Sequence, residues 1–263
     1  MLKQLLLSKN KPHSIIFVES RFCHLEKVIE DFFCSMLTNK HDIERLKNNQ
    51  YFDYISFNGY IENIKKENII EIQNKFSLTS FEKDNLKFYT IFGIETTNKQ
   101  SLNSLLKFLE EPQDNAYGIL TTRNIAKVIP TITSRCQVIY LPTDLTYFQN
   151  EIKKYQLNNE QVKLIYQTYY NFSEFEKEFE NGFFNTCTNF VQSLIINHSN
   201  LAKLKGLSAE FRSFDYLQIK RILCFIKVLV KDEKGIILNL INQLNLNPIK
   251  ALIFNEILSL WNI

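Results

Sequence analysis

The sequence predicts an α/β domain built on a parallel sheet, followed by an all-helical region. Three observations carry this. Strand-like and helix-like segments alternate through the first 142 residues. Beyond Pro142 no convincing strand recurs. The later helices have broad apolar faces, which only other helices can cover. Strands alternating with helices imply crossover connections and a sheet covered on both faces. The length of 263 residues and 45% hydrophobic content supply enough material for such a core.

Ser14 to Val18 is a short apolar, β-branched run and reads as the first strand. Leu25 to Leu37 follows as a helix, because Val28, Ile29, Phe32, Phe33 and Met36 recur every three or four residues. Asp53 to Phe57 alternates as a strand does, and Lys65 to Phe76 places Ile69, Ile72 and Phe76 on one helical face. Lys87 to Phe92 is a third strand. Gln100 to Glu110 is a helix with a Leu102, Leu105, Leu106, Leu109 stripe destined for the core, stopped by Pro112. Ala116 to Thr122 and Cys136 to Leu141 complete the sheet. Asp144 to Tyr155 and Asn159 to Tyr170 then form a small helical unit. From about residue 183 the pattern is helical throughout, with Tyr216 to Val230, Gly235 to Leu244 and Pro248 to Leu260 its clearest members. Asn247-Pro248 reads as a helix start, a capping residue followed by Pro at the first helical position. The expected divisions are therefore 1–142, 143–182 and 183–263.

Composition excludes several classes. The net charge of +3, from 31 Lys+Arg against 28 Asp+Glu, is too balanced for a protein that coats nucleic acid by itself. The six glycines are dispersed, no two within about 20 residues, whereas phosphate-cradling loops need two or more within about six. The connection after the first strand, Glu19-Ser20-Arg21-Phe22-Cys23-His24-Leu25-Glu26, has neither glycine nor lysine, and Glu19 and Glu26 would repel a triphosphate. Phe92-Gly93 follows the third strand where a nucleoside triphosphatase would carry an acidic pair for Mg²⁺. Glu95, the nearby carboxylate, reads as a solvated loop side chain. The five scattered cysteines form no C-x-x-C pair and read as small apolar residues of a reducing cytosol. The four histidines have no ligand spacing, so no metal is expected. There is no secretory leader pattern and no apolar stretch of about 18 residues, so a cytoplasmic location and no membrane contact are expected.

Three stretches are highly specific together. They are Ser101-Leu-Asn-Ser-Leu-Leu-Lys-Phe-Leu-Glu-Glu-Pro112, Tyr117-Gly-Ile-Leu-Thr-Thr122, and Ile129-Pro-Thr-Ile-Thr-Ser-Arg-Cys-Gln137. They strongly resemble the bacterial DNA polymerase III clamp-loader family of the AAA+ class, whose members carry N-x-L-L-K-x-L-E-E-P and P-T-I-x-S-R-C-Q at this spacing. His13-Ser-Ile-Ile-Phe17 and Ile69-Ile-Glu-Ile-Gln-Asn-Lys-Phe76 look like its first strand and its I-R-x-L helix. The match covers about residues 1–142 well, and the helical remainder matches in layout more than in sequence.

The resemblance implies an AAA+ domain (1–142), a small helical lid (143–182) and a helical collar that joins a ring (183–263). It implies that Leu25 stands in place of the P-loop lysine and Phe92 in place of an acidic ATP-site residue, so no cofactor is expected. Residues 38–57 lack the cysteines of the family's zinc module, and the lid arginine that senses nucleotide is not found around Tyr169 to Glu178. The resemblance makes Arg135 an arginine finger, acting in trans on a neighbour's ATP site, with Ser134 shaping the turn and Cys136 packing. Thr133 stands where the family usually has Arg. On the residues alone Arg135 reads first as an ordinary surface arginine at a strand start, and the flanking Ser134, Cys136 and family spacing reverse that. Glu110-Glu111-Pro112 is either a solvated helix end or a subunit-contact element, and Lys65, Lys66 and Lys75 either a solvated face or a DNA contact. The implied role is a subunit of the DNA polymerase III holoenzyme, a DNA-directed DNA polymerase, that is not an enzyme by itself. Its implied partners are the loader's ATPase subunits (gamma/tau) and delta subunit, with the sliding clamp and primed DNA reached through the assembly. No small-molecule substrate is expected. Two other readings stay open: an ATPase with an unconventional nucleotide site, and a diverged clamp-binding scaffold without a finger.

Overall fold

The computed structural model describes residues 2–8, 10–113, 115–230, 232 and 235–261. The chain forms two compact units that divide between Leu145 and Thr146. The first contains α1 (Leu2–Leu7), β1 (Ser14–Val18), α2 (Leu25–Cys34), α3 (Lys40–Lys47), β2 (Tyr54–Asn58), α4 (Lys66–Ser77), β3 (Lys87–Phe92), α5 (Lys99–Glu110), β4 (Ala116–Thr122), α6 (Pro130–Thr133) and β5 (Gln137–Tyr140).

The five strands form one sheet in the order β2-β3-β4-β1-β5, and every pairing is parallel. Parallel strands are covered on both faces and so carry continuous apolar runs; β1 is buried at all five positions. Its side chains still divide by parity. Ile16 and Val18 join Ile69, Ile72 and Phe76 of α4 and Leu102, Leu105 and Leu109 of α5 in one cluster. Ile15 and Phe17 join Ile29, Phe32 and Phe33 of α2 and Leu46 of α3 in the other. Gly118 on β4 permits one close approach in the first layer. A Cβ there would stand 1.8 Å from the Tyr89 ring, so glycine lets Tyr89 lie across the sheet and reach the Ser14 hydroxyl at 3.3 Å.

The second unit contains α7 (Leu145–Ile152), α8 (Asn159–Thr168), α9 (Phe172–Glu180), α10 (Phe183–Asn197), α11 (Leu201–Ser213), α12 (Tyr216–Leu229), α13 (Ile236–Gln243) and α14 (Lys250–Leu258). Four of these helices, α8, α9, α11 and α12, start on side-chain caps. Asn158, Asn171, Asn200 and Asp215 each accept a backbone N–H of the first turn. Aromatic packing of Phe172, Phe175, Phe184 and Phe225 around Tyr169 fills the centre. No helix among the described residues is long and apolar enough to cross a membrane.

Two local expectations are corrected. Asn247 does not cap the last long helix. It takes a left-handed conformation (φ 49°) that closes the 3-10 turn Leu244–Leu246, and α14 begins at Lys250 behind Ile249. The last strand begins at Gln137, so Cys136 lies just outside it.

Candidate functional site at the two edges of the sheet

β1 and β4 are adjacent, but the chain leaves β1 toward β2 and leaves β4 toward β5, in opposite directions. The carboxyl ends of two such strands frame the crevice in which α/β sheets take ligands. Here the crevice holds the protein's own side chains. Glu19, directly after β1, donates its backbone N–H to Thr122 at 2.8 Å. Its carboxylate accepts hydrogen bonds from Thr121 and from the Tyr60 hydroxyl, the latter at 3.1 Å, and lies 3.7 Å from Nε of Arg123. Glu95 accepts the Arg123 backbone N–H at 2.9 Å, and its Oε1 lies 3.4 Å from the same Tyr60 hydroxyl. The Arg123 guanidinium stacks 4.1 Å over the Tyr60 ring, a favourable cation–π arrangement.

Local backbone chemistry makes room for this cluster. Gly93 follows β3 at φ +68°, and a Cβ there would meet the Tyr60 ring at 2.7 Å. Glycine at this point admits the tyrosine. The loop after β1 turns inward, with Phe22 (φ 53°) 1% exposed and Cys23 also buried. Left-handed backbone at a bulky residue is held only by its surroundings; Phe22 has its buried ring and its carbonyl, which accepts the Asp144 N–H at 3.0 Å. Burial, reinforced by Glu19, pushes the Cys23 thiol up to about 12, so it is no nucleophile at neutral pH. Burial also pushes the Glu19 carboxyl up, against the Thr121 hydrogen bond and the Arg123 charge.

Leu25 opens α2 and packs, partly buried, on the second apolar cluster, as does Phe92 at the end of β3. Glu95 is not a solvated loop carboxylate. It belongs to the buried network, and its Oε2 has no hydrogen-bond partner among the described residues. The sequence reading missed Glu19, Tyr60 and Arg123 as a group, because their segments converge only through the sheet. A usable signal was present: a carboxylate directly after a fully buried strand needs partners.

Arg135 stands at the opposite edge. Gln137 pairs with Ile15 at the start of β1, so residues just before β5 lie at the strands' amino ends. Arg135 and Ser134 are exposed there. The Arg135 guanidinium donates through Nη1 to the Thr131 carbonyl at 2.8 Å and through Nη2 to Glu110 at 2.5 Å. Ser134 lies 3.4 Å from Nη1 and donates its own hydroxyl to Thr131 at 3.1 Å. Thr133 caps locally, donating to Pro130 at 3.0 Å. Cys136 is partly buried against the first apolar cluster, and burial pushes its thiol up to about 12. Of the basic side chains on α4, Lys75 donates to the Tyr54 carbonyl at 3.2 Å and lies over Phe52.

In the second unit the region from Tyr169 to Glu178 does meet an arginine, one supplied by α12. Arg221 holds Glu178 bidentately at 2.9 and 2.7 Å, donates to Thr168 at 3.1 Å and stacks 3.9 Å over Tyr169. Tyr169 donates to the same carboxylate at 2.6 Å. The pair is largely buried, which makes it a structural clasp that ties α12 to α9 and to the turn before it.

Comparison with known proteins agrees with the motifs. A family model described as DNA polymerase III, delta subunit, matches residues 1–144. An uncharacterized protein of Mycoplasma pneumoniae is 23% identical over 95% of this chain and 99% of its own length. The delta' subunit of DNA polymerase III from Bacillus subtilis is 40% identical over 76 residues, 29% of this chain and 23% of that one. A DNA polymerase III gamma subunit-related protein from Thermotoga maritima superposes with a TM-score of 0.65 at 16% identity, covering 98% of this chain and 97% of the other. That likeness bears on the fold, an AAA+ α/β domain followed by helices.

Proposed function

The chain belongs to the DNA polymerase III clamp-loader family, and from that premise we propose that it is the delta-prime subunit, a ring member that hydrolyses no ATP itself. The observation that carries this reading is the crevice at the ends of β1 and β4. Glu19, Tyr60, Glu95 and Arg123 contact one another at the strand ends where a nucleotide's phosphates would otherwise lie. Two carboxylates against one guanidinium give that space a polarity hostile to a triphosphate. A phosphate would have to displace Tyr60 from Glu19 and leave buried groups unpaired, which is costly.

The reading gives Arg135 the part of an arginine finger offered to a neighbouring gamma/tau ATPase subunit. A planar guanidinium can hold γ-phosphate oxygens bidentately and offset transition-state charge. The position supports it, since Arg135 is exposed on the edge away from the crevice. Residues 143–182 then serve as lid and 183–263 as collar, in a cytoplasmic assembly with gamma/tau and delta that places a sliding clamp on primed DNA. The test is ATP hydrolysis by the reconstituted loader with clamp and primed DNA. Arg135→Ala is expected to slow it at least about tenfold, arginine fingers in GTPases contributing about 10³–10⁵. An unchanged rate would remove the finger role.

A further inference from the structure

Arg135 is folded back onto its own chain. Its Nη1 donates to the carbonyl four residues earlier, and its Nη2 to Glu110, the last residue of α5. Ser134 accepts from the same Nη1 while donating to Thr131, so one hydroxyl braces both ends of the contact. The carboxylate is also at an unfavourable station. A helix carboxyl terminus carries partial negative charge and disfavours Glu; Lys107 in the last turn offsets part of this, and Arg135 is the cation that binds the Glu110 carboxylate. Both partners remain solvated, with side chains 33% and 48% exposed. The ion pair is therefore weak and reversible.

We propose that Glu110 is a latch for Arg135: it holds the guanidinium on its own subunit and competes with the neighbour's bound nucleotide for it. This rests on the finger reading given above. A phosphate carries more charge and more acceptor oxygens than one carboxylate, so it wins the guanidinium when ATP is bound in the neighbouring subunit. Glu110 then acts on the engagement of the finger and not on the chemical step. It is a positioning residue, with a magnitude set by a solvent-exposed pair.

The test is steady-state ATP hydrolysis by the reconstituted loader across ATP concentration, with wild type, Glu110→Gln, Arg135→Ala and the double variant. Glu110→Gln is expected to lower the half-saturating ATP concentration about 1.5- to 5-fold, the range of an exposed ion pair, with kcat unchanged. In the Arg135→Ala background the same substitution is expected to change nothing. The latch is overturned if Glu110→Gln leaves half-saturation where it was, lowers kcat, or shifts half-saturation equally without Arg135. Arg135→Ala alone separates the two levels. A wild-type rate in that variant overturns the finger reading and the latch with it, whereas a slowed rate beside an inert Glu110→Gln overturns the latch only.

Discussion

The two edges of one parallel sheet handle charge in opposite ways. At the carboxyl edge, Glu19 is 9% exposed and bound by three residues, Tyr60 from one segment of the chain and Thr121 and Arg123 from another. At the amino edge, about five strand residues or roughly 16 Å away along β1, Arg135 and Glu110 meet in solvent. A buried polar cluster has one arrangement, because each broken bond leaves a desolvated group. An exposed pair exchanges its partners at little cost. The difference is that one edge has its charges fixed by internal partners and the other has a charge that can change partners. In the proposed function, the edge that usually receives a ligand is occupied by internal contacts, and the opposite edge carries the exposed guanidinium of the Ser134-Arg135-Cys136 motif.

The largest effect expected from breaking this contrast is at Arg123. Arg123→Ala leaves Glu19 buried beside Glu95 without its cation, and removing one partner of a buried pair costs about 3–5 kcal/mol. Urea unfolding of the first unit checks this; a loss below about 1 kcal/mol would mean the network is not closed. A smaller and more diagnostic change is Glu19→Gln. Burial raises the Glu19 carboxyl above its usual value of 4.5, so the folded state holds its proton more tightly than the unfolded one. That contribution is fully present below the unfolded pKa and is lost as pH rises through the folded one. The stability of the Gln variant relative to wild type is therefore expected to improve as pH climbs from about 4 to about 7. A Gln variant that instead loses stability relative to wild type over that range would show the carboxylate is held charged. The smallest effects belong to the other edge. Arg135→Ala and Glu110→Gln are each expected to move stability by less than about 1 kcal/mol, which thermal melting would register as nearly unshifted midpoints.

Much of the first unit was legible in sequence for a simple reason. Ser14–Val18 and Ala116–Thr122 are buried along nearly their whole length, and such strands read as short runs rich in apolar and β-branched residues. α3 was not legible. It spans Lys40–Lys47 with only Ile43 and Leu46 apolar, and its buried Asp42 works by accepting the Asp84 N–H at 2.8 Å rather than by packing. α6 is a single turn of four residues, too short for any periodicity. The Asn247-Pro248 pattern misled because a capping residue before Pro also suits a turn, and the chain used it to end one helix rather than to begin the next.

The site was half legible for the same physical reason. The Arg135 segment is contiguous, so its motif could be read directly. Glu19, Tyr60, Glu95 and Arg123 span more than a hundred residues and meet only because β1 lies beside β4. No spacing rule finds them. What the sequence did show was the lack of clustered glycines and of a lysine before Leu25. Those features suggested that the usual ligand crevice is not used, without saying what fills it. Gly93, which admits the Tyr60 ring, looked like a residue standing in the wrong place and is a steric requirement of the filling.

The non-catalytic role proposed for this chain requires the crevice to be filled by its own side chains. The most direct measurement is equilibrium titration of the isolated chain with a fluorescent ATP analogue and Mg²⁺, followed by calorimetry with ATP. The expected result is no saturable binding up to millimolar nucleotide, with wild type and Arg135→Ala indistinguishable. Saturable micromolar binding that is lost when Arg123 or the loop after β1 is altered would contradict it and make this subunit a nucleotide-binding member of its ring.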